Sequence, residues 1–209
     1  MSSNVTLLEH PLAAAKLSIL RAKTTKPEEF RQNLEQISIL LLSEAARGWK
    51  TRTIAIETPL KKCAGEILEG SIVLVPILRA GLGMLPGMLR LLPEAAVGHI
   101  GIYRNEETLQ AVTYYCRLPA NAEDAHIVLI DPMLATGGSA SEAVALLKKQ
   151  GARKIQFVCV LACLPGIESL QSSHLDVEII TAAIDPELSK FGFIVPGLGD
   201  AGDRSFGTG

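Results

Sequence analysis

The chain has 209 residues, 48% of them hydrophobic, with 20 basic against 22 acidic side chains and a formal charge of −2. That is enough chain to bury a core as one domain over 1–209, and the near-even charge balance argues against a polyanion-binding face, so nucleic acid is not an expected partner. Cys63, Cys116, Cys159 and Cys163 form no C-x-x-C pair and read as buried reduced thiols. No basic segment followed by an apolar run opens the sequence. The apolar stretch 72–92 is broken by Pro76, Arg79, Pro86 and three glycines. It reads as strand, loop and helix rather than a membrane span, so a cytoplasmic protein with no membrane partner is expected.

Residues 7–20 read as a short helix. Thr25 and Glu28 suggest a capping box, after which Phe30, Leu34, Ile37, Leu41 and Ala45 recur on one helical face until Gly48. Residues 53–57 alternate as a short strand, and residues 72–78 form an apolar strand that ends at Arg79, with a helix expected over 82–91. A guanidinium at a buried strand end is costly to desolvate without an anion, so Arg79 is a candidate phosphate ligand; the plainer reading has it reach solvent or an internal acid. Segments 98–103 and 109–117 flank the polar turn Asn105-Glu106-Glu107-Thr108, which predicts a hairpin arm over about 98–117. Tyr103, Arg104, Glu106 and Glu107 near its tip suit a lid, a solvated hairpin or a dimer arm.

The densest signal is Ile127-Val128-Leu129-Ile130-Asp131-Pro132-Met133-Leu134-Ala135-Thr136-Gly137-Gly138-Ser139. An apolar strand stops at a carboxylate, turns on two glycines and passes into a helix marked by Ala140, Val144 and Leu147. The first N–H groups of that helix lack intrahelical acceptors, Gly137 and Gly138 let an anion approach the backbone, and Thr136 and Ser139 add hydroxyls. Gly138 stands where a Walker-type loop would need Lys, which disfavours nucleoside triphosphate hydrolysis. Strands over 155–162 and 177–183, with a helix after Pro165 between them, continue the alternation, so the expected fold is α/β with a mostly parallel sheet flanked by helices. The tail 192–209 carries six glycines and reads as a loop with a task. His10, His99, His126 and His174 show no metal-ligand spacing, and no Ser-His-Asp or Cys-His set is suggested.

Asp131-Pro132-Met133-Leu134-Ala135-Thr136-Gly137-Gly138-Ser139 resembles the 5-phosphoribosyl-1-diphosphate (PRPP) motif of phosphoribosyltransferases, in the wording of the uracil phosphoribosyltransferase family. Pro132 fills the place where many relatives carry a second acid. Three further stretches resemble that family in order: 76–84 around Arg79, 102–109 around Arg104, and 193–204 with its continuation 205–208. His10-Pro11-Leu12, Glu29-Phe30-Arg31 and Glu57-Thr58-Pro59-Leu60 add to the resemblance near the N-terminus. Departures stand at Asn105, where Asp is expected, at Phe193, where Tyr is common, and at Ala15, Ala22 and 43–47.

The resemblance implies a type I phosphoribosyltransferase fold with a hairpin arm and a small base-binding hood closed by a C-terminal loop over about 192–209. It implies transfer of the phosphoribosyl group from PRPP to N1 of uracil, giving UMP and diphosphate, with Mg²⁺ carried mainly by PRPP and no protein metal site. Arg79, Arg104, Asp131 and Asp200 are the implied catalytic residues. PRPP falls to these four and to Pro132, Met133, Leu134, Ala135, Thr136, Gly137, Gly138 and Ser139. Uracil falls to Ile194, Gly199, Asp200 and Ala201. A glycine-rich backbone suits that last task, because the acceptor, donor, acceptor edge of uracil can be matched by main-chain groups, and cytosine would leave them unpaired. The resemblance also implies a homodimer or larger homo-oligomer and admits GTP as an effector. Another reading is a catalytically weak PRPP- or nucleotide-sensing regulator on the same fold, and a third is a transferase for a purine or another base.

Overall fold

The computed structural model describes residues 4–104 and 111–208. The chain opens with β1 (Val5–Leu7), which pairs in parallel with a strand formed much later, and α1 (Pro11–Arg21) follows. The single helix expected over 7–20 is therefore a short strand and a helix. His10 separates them: its Nδ1 accepts from the Leu12 N–H at 3.1 Å and caps α1, with Pro11 in the first turn. The long helix α2 (Pro27–Ala45) buries Phe30, Leu34, Ile37, Leu41 and Ala45, the face that its periodicity marked. Its start differs from the expected capping box. Lys26 is the cap residue and makes no side-chain cap bond, Pro27 opens the helix, and the Thr25 hydroxyl donates to the Ile19 carbonyl at 2.6 Å. Proline pre-sets the first turn, so the hydroxyl serves the end of α1 instead.

A hairpin follows that sequence reading found only in part. β2 (Thr51–Glu57) pairs antiparallel with β3 (Lys62–Leu68) as a separate two-stranded sheet, in register from Thr51↔Leu68 to Glu57↔Lys62. Most of its residues are exposed. β4 (Ile72–Leu78), a 3₁₀ turn over Ala80–Gly83 and α3 (Leu85–Leu91) come next. Then come β5 (Ala96–Val97), β6 (His99–Arg104) and β7 (Ala111–Arg117). β6 and β7 pair antiparallel as the expected arm, and its tip lies outside the described residues.

The last third alternates strand and helix: β8 (His126–Ile130), β9 (Met133–Leu134), α4 (Gly138–Lys149), β10 (Lys154–Cys163), α5 (Leu164–Ser173) and β11 (Glu178–Asp185). β12 (Glu187–Leu188), β13 (Ile194–Val195) and α6 (Ala201–Phe206) close the chain, so the stretch 192–209 read as loop contains a strand and a short helix.

The main sheet runs β1-β11-β10-β8-β4-β6-β7, parallel at every pairing along this path except β6–β7. Strands buried on both faces explain the unbroken apolar runs. Ile72 and Leu74 of β4, with Val128 and Ile130 of β8, face one core, which α1, α2 and α3 complete. Val73, Val75, Ile127 and Leu129 face the other, filled by Ala140, Val144 and Leu147 of α4 and by Ile167 and Leu170 of α5. Cys159 and Cys163 are buried as free thiols. Cys63 and Cys116 are free too but half-buried, which corrects the expectation that the thiols are interior.

Candidate active site

β4 and β8 are adjacent and parallel, with Pro76 opposite Ile130, so Arg79 and Asp131 emerge from neighbouring carboxyl ends. The chain leaves β4 toward β6 at one edge and leaves β8 toward β10 on the other side. Such a switch point opens a crevice at the strand ends, where α/β sheets take their ligands.

The turn after β8 forms the floor of the crevice. Gly137 precedes α4 with φ 83°, and a Cβ there would lie 2.8 Å from the Gly166 carbonyl and 2.9 Å from the Ser169 Cβ, so only glycine fits. Gly138 is different. A Cβ there would meet nothing nearer than the Thr136 hydroxyl at 3.8 Å, so the fold itself does not require glycine, and the space stays open beside the first turn of α4. Asp131 and residues 133–140 wall a hollow of about 90 Å³ at this place. Pro132 is not among the walls: it is buried, and its carbonyl accepts from the Val160 and Leu161 N–H groups, each at 3.0 Å.

A second hollow, of about 220 Å³, adjoins the first, and Asp131, Met133 and Ala135 line both. Its far side is Ile194, Gly199, Asp200 and Ala201, with Phe193 at 49% exposure. All four residues expected to hold a base thus gather in one hollow, next to the one walled by the glycine turn. Two acids face this space. Burial, above all, raises the Asp131 carboxyl to about 7; the Met133 N–H lowers it and the Asp200 charge adds to the rise. The Met133 N–H donates to Asp131 Oδ1 at 3.4 Å, and Asp200 caps α6, its Oδ1 accepting from the Asp203 N–H at 2.9 Å.

Arg79 reaches an internal acid: its Nη2 is 3.4 Å from Asp203 Oδ1, and its side chain keeps 58% exposure. The peptide bond Leu78–Arg79 is cis. Arg104 ends β6, and its side chain lies outside the described residues, as do Glu106 and Glu107.

Sequence reading missed the clamp that fixes the glycine-rich loop around Gly197. Arg21 at the end of α1 donates two bonds to Asp185, at 2.6 and 2.7 Å, and a third to the Gly197 carbonyl at 2.8 Å. Asp185 accepts from the Gly197 N–H at 2.8 Å. Burial works to raise the Asp185 carboxyl, but the Arg21 guanidinium and the Gly197 N–H outweigh it and hold the group below the usual carboxylate range. Gly197, at φ 63° and just after the cis bond Val195–Pro196, could not be replaced without strain. Arg204 completes the clamp: it lies 4.5 Å over the Phe30 ring and donates to the carbonyls of Leu20, Ala22 and Leu198. The one sequence signal for this arrangement is an acid, Asp185, before Pro186 at a strand end.

Larger hollows lie elsewhere. One of about 550 Å³ sits at the β1–β11 edge with apolar walls that include Leu7, Leu164 and Ile167. Two of about 350 and 390 Å³ lie around Ser71 and Ile72, at the opposite end of the sheet. Size is a poorer guide here than chemistry, since the switch-point crevice joins helix N–H groups, two neighbouring carboxylates and an arginine. Among the described residues no cluster of three or more His, Cys, Asp or Glu is placed to hold a metal by itself.

A family model described as uracil phosphoribosyltransferase matches residues 7–208. A protein of Dictyoglomus turgidum named uracil phosphoribosyltransferase is 52% identical over 98% of this chain and 99% of its own length. One of Clostridium perfringens with the same name is 51% identical over 99% of both. Among solved structures, the AQ2163 protein from Aquifex aeolicus superposes with a TM-score of 0.93 at 37% identity, covering 97% of each chain. Adenine phosphoribosyltransferase from Trypanosoma brucei, in complex with AMP, pyrophosphate and ribose-5-phosphate, gives a TM-score of 0.55 at 16% identity over 87% of this chain and 84% of its own, a likeness of fold alone.

Proposed function

The chain belongs to the uracil phosphoribosyltransferase family, and from that premise we propose how its residues carry out the transfer of a phosphoribosyl group from PRPP to N1 of uracil. It is a glycosyltransferase of pyrimidine salvage on the type I phosphoribosyltransferase fold. The observation that carries the reading is the pair of adjoining hollows that share Asp131, Met133 and Ala135, one suited to a phosphate and the other to a planar base.

The 5′-phosphate rests on the turn 134–139, where the first N–H groups of α4 and the Thr136 and Ser139 hydroxyls point at it without Lys. Asp131, as a carboxylate, accepts the ribose hydroxyls. The main chain around Ile194 and Gly199 to Ala201 reads the uracil edge, and its fixed donors and acceptors reject cytosine. Arg79 and Arg104 take the diphosphate. N1 of uracil gives up its proton to solvent and attacks the anomeric carbon as the C–O bond to diphosphate breaks, and the electron pair of that bond leaves with the diphosphate. The protein supplies orientation and charge stabilisation without a covalent nucleophile.

Mg²⁺ fits the oxygen donors present. Asp131 and Asp200 are too few to cage it alone, which suits an ion that keeps waters and substrate phosphates. Bound with PRPP, the ion would offset charge on the leaving diphosphate. Asp200 stands where it can meet both the base and the PRPP–Mg²⁺ group. The exposed apolar side chains Ile56 and Ile67 on the β2–β3 arm support a homodimer or larger assembly as part of this proposal. A cytoplasmic location accords with the four free cysteines. A GTP effector also belongs to the proposal, and a melting-temperature shift with GTP checks it.

Incubation with PRPP and Mg²⁺ plus uracil, cytosine, hypoxanthine or orotate tests the assignment. Diphosphate release with uracil alone is expected. PRPP binding with no turnover on any base would instead mark a regulator.

A further inference from the structure

We propose that Asp203 is a positioning residue for the diphosphate-binding arginine: its carboxylate competes with diphosphate for the Arg79 guanidinium. The proposal rests on the phosphoribosyl-transfer reading. Asp203 lies in α6, and α6 packs against the 3₁₀ turn Ala80–Gly83 that directly follows Arg79. One residue thereby touches both halves of the site. Its N–H donates to Asp200 Oδ1 at 2.9 Å, which fixes the acid assigned to uracil and PRPP. Its carboxylate lies 3.4 Å from Arg79 Nη2, the guanidinium assigned to diphosphate.

The two contacts differ in strength in a way that suits exchange. Asp203 Oδ1 is anchored by the Thr208 hydroxyl at 2.6 Å, so the carboxylate stays in place whether or not the arginine does. The arginine contact is long, at the outer limit of a hydrogen bond, and its side chains are 58% and 38% exposed. Half-solvated pairs of this kind are weak. A diphosphate presents several charged oxygens to a planar fork and displaces a single distant carboxylate. While Arg79 is held by Asp203 it is unavailable, and the apparent affinity for diphosphate is reduced by the available fraction. Asp203 therefore weakens diphosphate binding modestly, and it reclaims the arginine as the product leaves.

Asp203→Asn keeps the shape, and its amide oxygen can still accept from Thr208. Calorimetric titration with Mg²⁺-diphosphate and, separately, with UMP isolates the effect, because UMP carries the 5′-phosphate and base but nothing for Arg79. Asp203→Asn is expected to bind diphosphate about two- to five-fold more tightly, in keeping with an exposed pair, with UMP affinity unchanged. Thr208→Val leaves Asp203 in place but unanchored, and should shift diphosphate binding the same way by less. Unchanged or weaker diphosphate binding, or an equal shift for UMP, would overturn the proposal, since a general loss of negative charge or a disturbed α6 would move both ligands. Wild-type protein that binds neither ligand would remove the transfer reading, and this proposal with it.

Discussion

Asp131 carries the clearest pH dependence at the level of single residues. Its folded carboxyl sits at about 7, while an ordinary unfolded aspartate titrates near 4. The folded state therefore binds the extra proton across that window, and Asp131 costs stability as pH rises from about 4 to about 7, with no further change above. Ribose hydroxyls favour the ionised form, so PRPP affinity should rise about tenfold per pH unit up to about pH 7 and then level off. Titrating PRPP into wild-type and Asp131→Asn protein across pH 5.5 to 8.5 gives the difference that matters; the same slope in both would remove Asp131 from ribose binding. Asp185 has the opposite sign. Its carboxyl is depressed, so its contribution is present above about pH 4 and is lost as pH falls through the folded value. Asp185→Asn leaves Arg21 facing an amide and should cost about 2–3 kcal/mol by denaturant unfolding, below the usual range for a broken buried pair because Arg21 keeps 25% of its side chain exposed. The uracil KM should rise while the PRPP KM holds, and parallel increases in both would count against a base-loop clamp.

Among the elements, the start of α4 separates architecture from ligand binding. Gly137→Ala forces a Cβ onto φ 83° and into the Gly166 carbonyl, and should lower stability by more than about 1 kcal/mol. Gly138→Ala finds space in the protein and should keep the melting temperature within a degree or two, yet weaken UMP binding at least about tenfold by occupying the cradle. Equal UMP affinity in wild type and Gly138→Ala would show that the phosphate binds elsewhere. This turn was legible because strand, acid, glycines and helix are contiguous in sequence. So was α2, whose buried face repeats at helical spacing. β3 was not, since Ala64 on its outer face and Gly65 on its inner face blur the alternation, and its pairing with β2 supplies what its composition lacks. β1 was hidden for a similar reason: three residues acquire strand geometry only by joining β11, 174 positions downstream at Val5↔Ile179. The Arg21–Asp185 bridge spans 164 residues, and no local pattern announces such a partner.

For the whole molecule, the sheet order explains why residues so far apart in sequence lie together. The switch point brings the ends of β4 and β8 side by side, and α6 returns the C-terminal residues to the turn after β4. Arg79, Asp131 and Asp200 thus come from three chain regions that the four separate sequence motifs had marked without showing how they meet. The two adjoining hollows are proposed to form one active site for phosphoribosyl transfer to uracil. The most direct measurement is the initial rate of UMP formation from PRPP, Mg²⁺ and uracil, with Asp200→Ala and Arg79→Ala beside the wild type. Uracil-dependent turnover in the wild type, reduced at least about a hundredfold in both variants, is expected. Wild-type rates in either variant, or no UMP from the wild type at all, would contradict that proposal.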